Sequence, residues 1–278
     1  MDLSIILKFI RENTDWLYTV IYQNQFFFLD YWSIVHFVSG FFLPTILFKL
    51  KFKRIYSISF LILITYEFVE ISLIYFAFNI FRPETIKDQI TDLIIGSLGV
   101  ILIWKCRLSQ LNTKIFSFLL PSILSSFIIS FLWVGFYNYR YNIESLNTRG
   151  INIWAFAWWF AGLLFILFVA EGLRKNFQNK FIYYPILYLL YLISLLTIEY
   201  IGFNFFNIRK TSDTENSALI FNLIHGTTQL HIFYLIAPLL VFLLYSITQK
   251  IFINYFNVIK EREFDSDKNL STVVEVSE

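Results

Sequence analysis

Seven runs of this chain are mostly apolar, and most are about as long as a bilayer is thick. A helix crossing the hydrocarbon needs roughly 20 consecutive, mostly apolar residues. Such runs fall at Tyr31–Phe48, Ile55–Ile80, Asp88–Trp104, Ile115–Tyr137, Ile151–Glu171, Phe181–Phe206 and Ala218–Ile247. Of the 278 residues 57% are hydrophobic and only 15% charged. A soluble monomer with that composition lacks the polar surface to hide its core. The expected fold is all-α: a polytopic transmembrane helix bundle of about seven membrane helices, with the lipid bilayer as its solvent. An N-terminal segment, residues 1–30, comes first. It is amphipathic and aromatic from Leu3 to Phe28 and reads as an interfacial helix or a short extra span.

The loops set an orientation. Lys49, Lys51, Lys53 and Arg54 follow the first run, and Lys105, Arg107 and Lys114 follow the third. Arg174, Lys175 and Lys180 follow the fifth, and Lys250, Lys260, Arg262 and Lys268 follow the seventh. The intervening loops carry fewer cations. Cytoplasmic loops are enriched in Lys and Arg, which predicts an N-terminus outside and a C-terminus inside, in a cell (inner) membrane. The runs group as a three-helix unit over 31–104 and a four-helix unit over 105–255. The tail, 256–278, turns polar and mixed in charge from Glu261, which predicts a disordered cytoplasmic end.

Composition removes several functions. The single cysteine, Cys106, rules out an intrachain disulfide and a cysteine-rich metal site. A net charge of +2 does not call for a nucleic-acid partner. Met1-Asp2-Leu3-Ser4 does not begin as a removable signal peptide does. Pro44, Pro121, Pro185 and Pro238 predict kinks that membrane helices tolerate. Trp154, Trp158 and Trp159 read as an interfacial aromatic belt.

An ionisable side chain within a membrane helix is costly unless paired or hydrated. His36, Glu67, Glu70, Asp88, Asp92, Glu199, His225 and His231 all lie within the runs, and the predicted topology puts each in the outer half of the bilayer. Glu171 falls at the opposite edge, where Arg174 or Lys175 accounts for it. Glu67 and Glu70 are three apart and share a helix face, as do Asp88 and Asp92 at a spacing of four. Gly96 continues that second face and Gly99 lies close by, which lets a neighbour approach closely; the second run is the expected one. Thr85 or Asp88 caps that helix. Carboxylates gathered at low dielectric must share protons, pair with Arg82 or Lys87, or bind a cation. His36, Glu70, Asp88 and Asp92 therefore form a candidate site for a divalent metal ion, and Glu67, Glu70 and Asp92 are candidate catalytic groups. A second polar set is Glu199, His225, Gln229 and His231. His225 and Gln229 share a helix face, whereas the two His lie about 120° apart around a straight helix, unless the chain breaks at Gly226.

Three stretches carry a resemblance. They are Val35-His36-Phe37-Val38-Ser39-Gly40-Phe41, Thr65-Tyr66-Glu67-Phe68-Val69-Glu70, and Asp88-Gln89-Ile90-Thr91-Asp92 continuing to Gly96 and Gly99. Together they resemble the VanZ-like and YjdF-like group of small multi-pass membrane proteins. That group pairs a His-Gly helix, an aromatic-Glu helix and an Asp-rich helix ending in two glycines. Leu93 after Asp92 favours the YjdF-like branch. The resemblance covers 31–104 and implies an architecture and a polar site more than a reaction.

Three functions fit these residues. One is a hydrolase-type enzyme acting from the outer side on a lipid or lipid-linked substrate, with a metal or carboxylate pair activating water. Another is a proton-coupled transporter, which would need a second polar gate toward the cytoplasm. The third is a non-catalytic membrane protein whose polar networks only specify packing.

Overall fold

In the computed structural model, residues 3–76, 85–108, 113–174, 177, 180–208, 218–219 and 224–275 are described. Each of the seven apolar runs contains a helix: α2 (Tyr31–Lys49), α3 (Ile55–Phe76), α4 (Ile86–Leu108), α5 (Thr113–Tyr137), α6 (Ile153–Arg174), α7 (Lys180–Tyr200) and α8 (Thr228–Glu275), after a short α1 (Leu3–Thr14). The protein is an all-α polytopic helical bundle. Among the described residues six helices, α2, α3, α5, α6, α7 and α8, are long and apolar enough to cross a membrane. The 23-residue α4 has the length but carries Lys87, Asp88, Asp92, Lys105 and Arg107. Its charges set it apart from its neighbours.

Three boundaries differ from the sequence reading. The N-terminal helix stops at Thr14. A 3-10 turn, Asp15–Tyr18, and a hairpin, β1 (Val20–Gln23) with β2 (Phe28–Asp30), replace the single interfacial helix. The side chain of Asn24 accepts from the amides of Phe26 (2.8 Å) and Phe27 (2.7 Å) and so closes the turn. The β-branched and aromatic residues on either side favour extended backbone. The seventh run begins its helix at Thr228, ten residues later than Ala218. Before it, β3 (Ala218–Leu219) pairs with β4 (Ile224–His225). Gly226 follows at φ 141, a left-handed value that glycine adopts freely. The Thr227 hydroxyl then accepts from the Leu230 amide at 3.3 Å and caps α8. At the other end α8 runs to Glu275, through the tail whose composition predicts disorder.

The chain divides into two compact units, Met1–Phe118 with Thr248–Glu278, and Leu119–Ile247. In unit 1, α4 packs closely on α2 through glycine. A Cβ on Gly40 would lie 2.0 Å from the Gly96 carbonyl oxygen, and one on Gly99 would lie 2.3 Å from the Phe37 carbonyl oxygen. Only glycine allows the two backbones this separation. The partner that Gly96 and Gly99 were expected to meet was the second run; most of the close approach is instead to the first. α3 flanks the pair, with the Leu63 side chain 3.3 Å from the Gly96 Cβ position. Phe252 completes this core, 5.9 Å from the rings of both Phe41 and Phe42. The hairpin is strapped to α4. The Phe28 amide donates to the Thr91 hydroxyl at 3.2 Å, and the Lys87 ammonium donates to the Asn24 carbonyl at 3.0 Å.

In unit 2 the contacts are aromatic. Trp133 of α5 stacks on Phe233 of α8, with centroids 3.7 Å apart. The loop after α5 is organised by buried Asn152, which donates to the Leu146 carbonyl (2.9 Å) and accepts from the Ala155 amide (3.0 Å), capping the start of α6.

Candidate functional site: a carboxylate cluster in unit 1

Six ionisable residues meet where the first turns of α2 and α4 face the second half of α3. Asp30 caps α2. Its Oδ1 accepts from the Ser33 amide at 2.9 Å and from the Ser33 hydroxyl at 3.2 Å, so the helix dipole and the cap hold it there. His36 stands on the second turn of α2, gripped edge-on by Trp32 (5.9 Å) and Tyr66 (5.6 Å). Glu67 and Glu70 come from α3. Asp88 and Asp92 come from α4, whose start is capped by the Thr85 hydroxyl accepting from the Asp88 amide at 3.2 Å. All six are buried, and Asp92 is only 1% exposed.

The ligating atoms form two triads. His36, Glu67 and Glu70 make one, and Asp30, Asp88 and Asp92 the other. Within each, the three atoms lie within 4.8 Å of one another. His36 joins them: its Nδ1 is 3.5 Å from Glu67 Oε1 and its Nε2 is 3.7 Å from Asp92 Oδ2. Both separations are longer than a good hydrogen bond. They match the spacing of two ligands that each lie about 2.0–2.2 Å from one ion. One imidazole nitrogen can bind a metal while the other donates its proton to a carboxylate, which fixes the ring.

Acceptors outnumber donors here. Both oxygens of Glu70, Oδ1 of Asp88 and Oδ1 of Asp92 are buried without a hydrogen bond from any described residue. The Trp32 indole N–H lies beside Glu70 but outside hydrogen-bond geometry. Among the described residues no Lys or Arg is ion-paired with any of the five carboxylates. Lys87, one of the two expected counter-ions, donates to Asn24 instead; Arg82 lies outside the described residues. Burial lifts the Asp30 carboxyl above the usual carboxylate range, against the pull of its Ser33 hydrogen bonds.

The structure thus brings together His36, Glu67, Glu70, Asp88 and Asp92, and adds Asp30, which the sequence reading missed. Its signal was present: Asp-x-x-Ser directly before an apolar run is an N-cap pattern. Nothing in that pattern tells that α4 will lie alongside the cap.

The second polar set is spread over several elements of unit 2. Glu199 Oε1 accepts from the Tyr234 hydroxyl at 2.5 Å. The His231 ring lies 6.4 Å from that of Tyr234. Gln229 is exposed, and His225 sits in β4 rather than on a helix face shared with Gln229, because the helix starts only at Thr228. The side chain of His225 lies outside the described residues. At the far end of α6, Glu171 and Arg174 form the expected surface pair at 3.7 Å.

Compared with known proteins, the chain finds no match among family models, curated proteins or solved structures.

Proposed function

We propose that unit 1 is a divalent-cation centre in the outer half of a cell membrane, in a protein whose N-terminus is outside and C-terminus cytoplasmic. We further propose that it serves a hydrolase-type enzyme acting on a lipid or lipid-linked substrate. The observation that carries the reading is the charge imbalance: five buried carboxylates and one imidazole gather in two adjoining triads, and four of the carboxylate oxygens lack a donor among the described residues. A cation in a triad would satisfy the oxygens that face it, whereas a bare buried charge costs several kcal/mol, on the scale of about 3–5 kcal/mol for a broken buried pair. Oxygen donors with one nitrogen suit Mn²⁺ or Zn²⁺. The resemblance to the VanZ-like and YjdF-like group over 31–104 covers the same three helices and agrees with a shared polar site.

The chemistry follows from the surplus of ligands. A bound ion lowers the pKa of its water. A carboxylate not needed for coordination, Glu67 being the most exposed of the five at 9%, takes the water proton. From there Glu67 would draw a proton from water attacking an ester or phosphodiester centre and return it to the departing oxygen. Elemental analysis of the purified protein tests the centre: stoichiometric Mn or Zn is expected, lost in Glu70→Gln and Asp92→Asn. A metal-free protein that ignores added Mn²⁺ and Zn²⁺ would refute it. Mass spectrometry of membrane lipids incubated with the wild type and with Asp92→Asn tests the hydrolysis. Metal-dependent loss of one lipid class is expected, and unchanged lipids with a metal-loaded protein would leave a binding centre but no hydrolase.

A further inference from the structure

Unit 2 contains a cavity of about 530 Å³ bounded by α6, α7, the start of α8 and the loop after α5. Its volume is within the range of small-molecule sites. Trp154, Trp158 and Trp159 of α6, Tyr139 and Tyr141 of the loop, and Tyr234 of α8 supply much of the wall. Among the described residues Glu199 is the one charged side chain lining it.

Three further features mark it as a built site. The Tyr139 hydroxyl accepts from the indoles of Trp133 and Trp159, both at 2.9 Å, so the aromatic wall is fixed in place. Tyr191 is only 6% exposed, lines the cavity, and its hydroxyl has no hydrogen-bond partner among the described residues. A buried phenol without a partner is costly unless a ligand supplies one. Finally, α7 ends in a π-helical turn, Ile201–Phe205, and Ile201, Gly202 and Phe203 of that turn line the cavity.

The lining selects its occupant by charge. Indole and phenol faces attract cations, and most strongly out of water. Among the described residues the wall carries one carboxylate and no Lys or Arg, and a carboxylate repels an anion. Burial, and after it the charge of Glu199, keep the Tyr141 hydroxyl protonated. We propose that this cavity binds an organic ammonium group carried on an apolar chain. The ammonium lies against the aromatic faces and Glu199, and the chain runs along the apolar remainder. A lipid headgroup and a free amphiphilic amine share that chemistry. This site belongs to unit 2 and is independent of the metal centre proposed for unit 1.

Calorimetric titration of the purified full-length protein in neutral maltoside detergent tests it, with hexyltrimethylammonium, hexanoate and hexanol as probes of equal chain length. Saturable binding of the ammonium is expected, at least about ten-fold tighter than hexanol, with none of hexanoate. Glu199→Gln should weaken it at least about ten-fold. Because Glu199 also holds Tyr234, a second variant guards against a folding defect. A Cβ on Gly162, which lines the cavity, meets nothing within 4 Å, so Gly162→Leu starts its side chain in open space. It should abolish binding without lowering the melting temperature. Competition by dihexanoylphosphocholine would identify a headgroup as the source, and failure to compete a free amine. Equal binding of hexanol, preference for hexanoate, or full ammonium binding by Gly162→Leu would overturn the proposal.

Discussion

Unit 1 buries its carboxylates and unit 2 half-buries one, and the two treat them in opposite ways. In unit 2, Glu199 is met by the Tyr234 hydroxyl, and the nearby Tyr139 hydroxyl is met by two indoles. In unit 1, Glu67, Glu70, Asp88 and Asp92 gather around a lone imidazole, and four of their oxygens find no donor among the described residues. Buried polarity alone therefore does not single out a metal site; the ratio of acceptors to donors is the sharper guide. Where donors suffice, a carboxylate is part of the packing or of a pocket wall. Where they fall short, the carboxyls must hold protons or share a cation.

The glycines draw the same contrast in packing, and they give the largest expected effect. Gly99→Ala puts a methyl 2.3 Å from the Phe37 carbonyl oxygen and 2.7 Å from the Phe41 amide, both backbone atoms that cannot rotate away. α2 and α4 must part, at a cost of about 3 kcal/mol or more. Metal content should fall with stability, because His36 and Asp92 ride on those two helices. Gly162→Ala in unit 2 meets open space and should stabilise its helix by about 0.5–1 kcal/mol. Melting curves in detergent check both. Equal melting of wild type and Gly99→Ala would show that the α2–α4 approach does not hold the cluster.

Chelation separates the two carboxylate environments next. A ligand at 100 times its Kd stabilises the native state by about 2.7 kcal/mol. EDTA should therefore lower the melting temperature of the wild type and of Glu199→Gln alike. Asp92→Asn should start low and ignore the chelator. The opposite pattern breaks the comparison: an Asp92→Asn protein that melts higher than wild type, with EDTA without effect, means that the cluster holds only mutually repelling acids.

The spacing of Glu67 with Glu70, and of Asp88 with Asp92, was enough to put each pair on one helix face, and the cost of intramembrane charge was enough to single them out. The bundle itself was legible because apolar length is a direct requirement of the bilayer. Three things were not. Asp30 reads as a cap, and only the packing of α4 against α2 turns it into a neighbour of Asp88. Gly96 and Gly99 announce a close partner without naming it, since α2 and α3 are equally apolar. The start of α8 was misplaced because Leu219, Ile220, Phe221, Leu223 and Ile224 are apolar enough to lengthen the run, so hydropathy passes over the break at Gly226. That error put His225 on a helix it does not join. The cavity of unit 2 was hidden for a similar reason: Trp154, Trp158 and Trp159 fit an aromatic belt whether or not they also border a pocket.

Smaller effects sharpen the contrast. Tyr234→Phe removes the 2.5 Å hydrogen bond to Glu199 and should cost about 1.5–3 kcal/mol, the range for a bond to a charged group, with metal content unchanged. A fall in metal content would mean that the two carboxylate environments are coupled after all.

Lys87 offers the smallest effect and the sharpest sign. It is the described cation nearest in sequence to the cluster, yet its ammonium bonds to the Asn24 carbonyl and lies 5.8 Å above the Phe28 ring. Its loss should loosen the hairpin by about 0.5–1 kcal/mol. If Lys87 neutralised Asp88 or Asp92, Lys87→Ala would strip the cluster of its counter-charge and destabilise unit 1 more than that. If the counter-charge is a metal ion, removing a nearby positive charge lowers the repulsion the ion meets. Mn²⁺ should then bind Lys87→Ala as tightly as the wild type or more tightly, most visibly at low ionic strength. Weaker Mn²⁺ binding in a folded Lys87→Ala protein would reverse the assignment and make the lysine, through the strap it forms with the hairpin, part of what shapes the site.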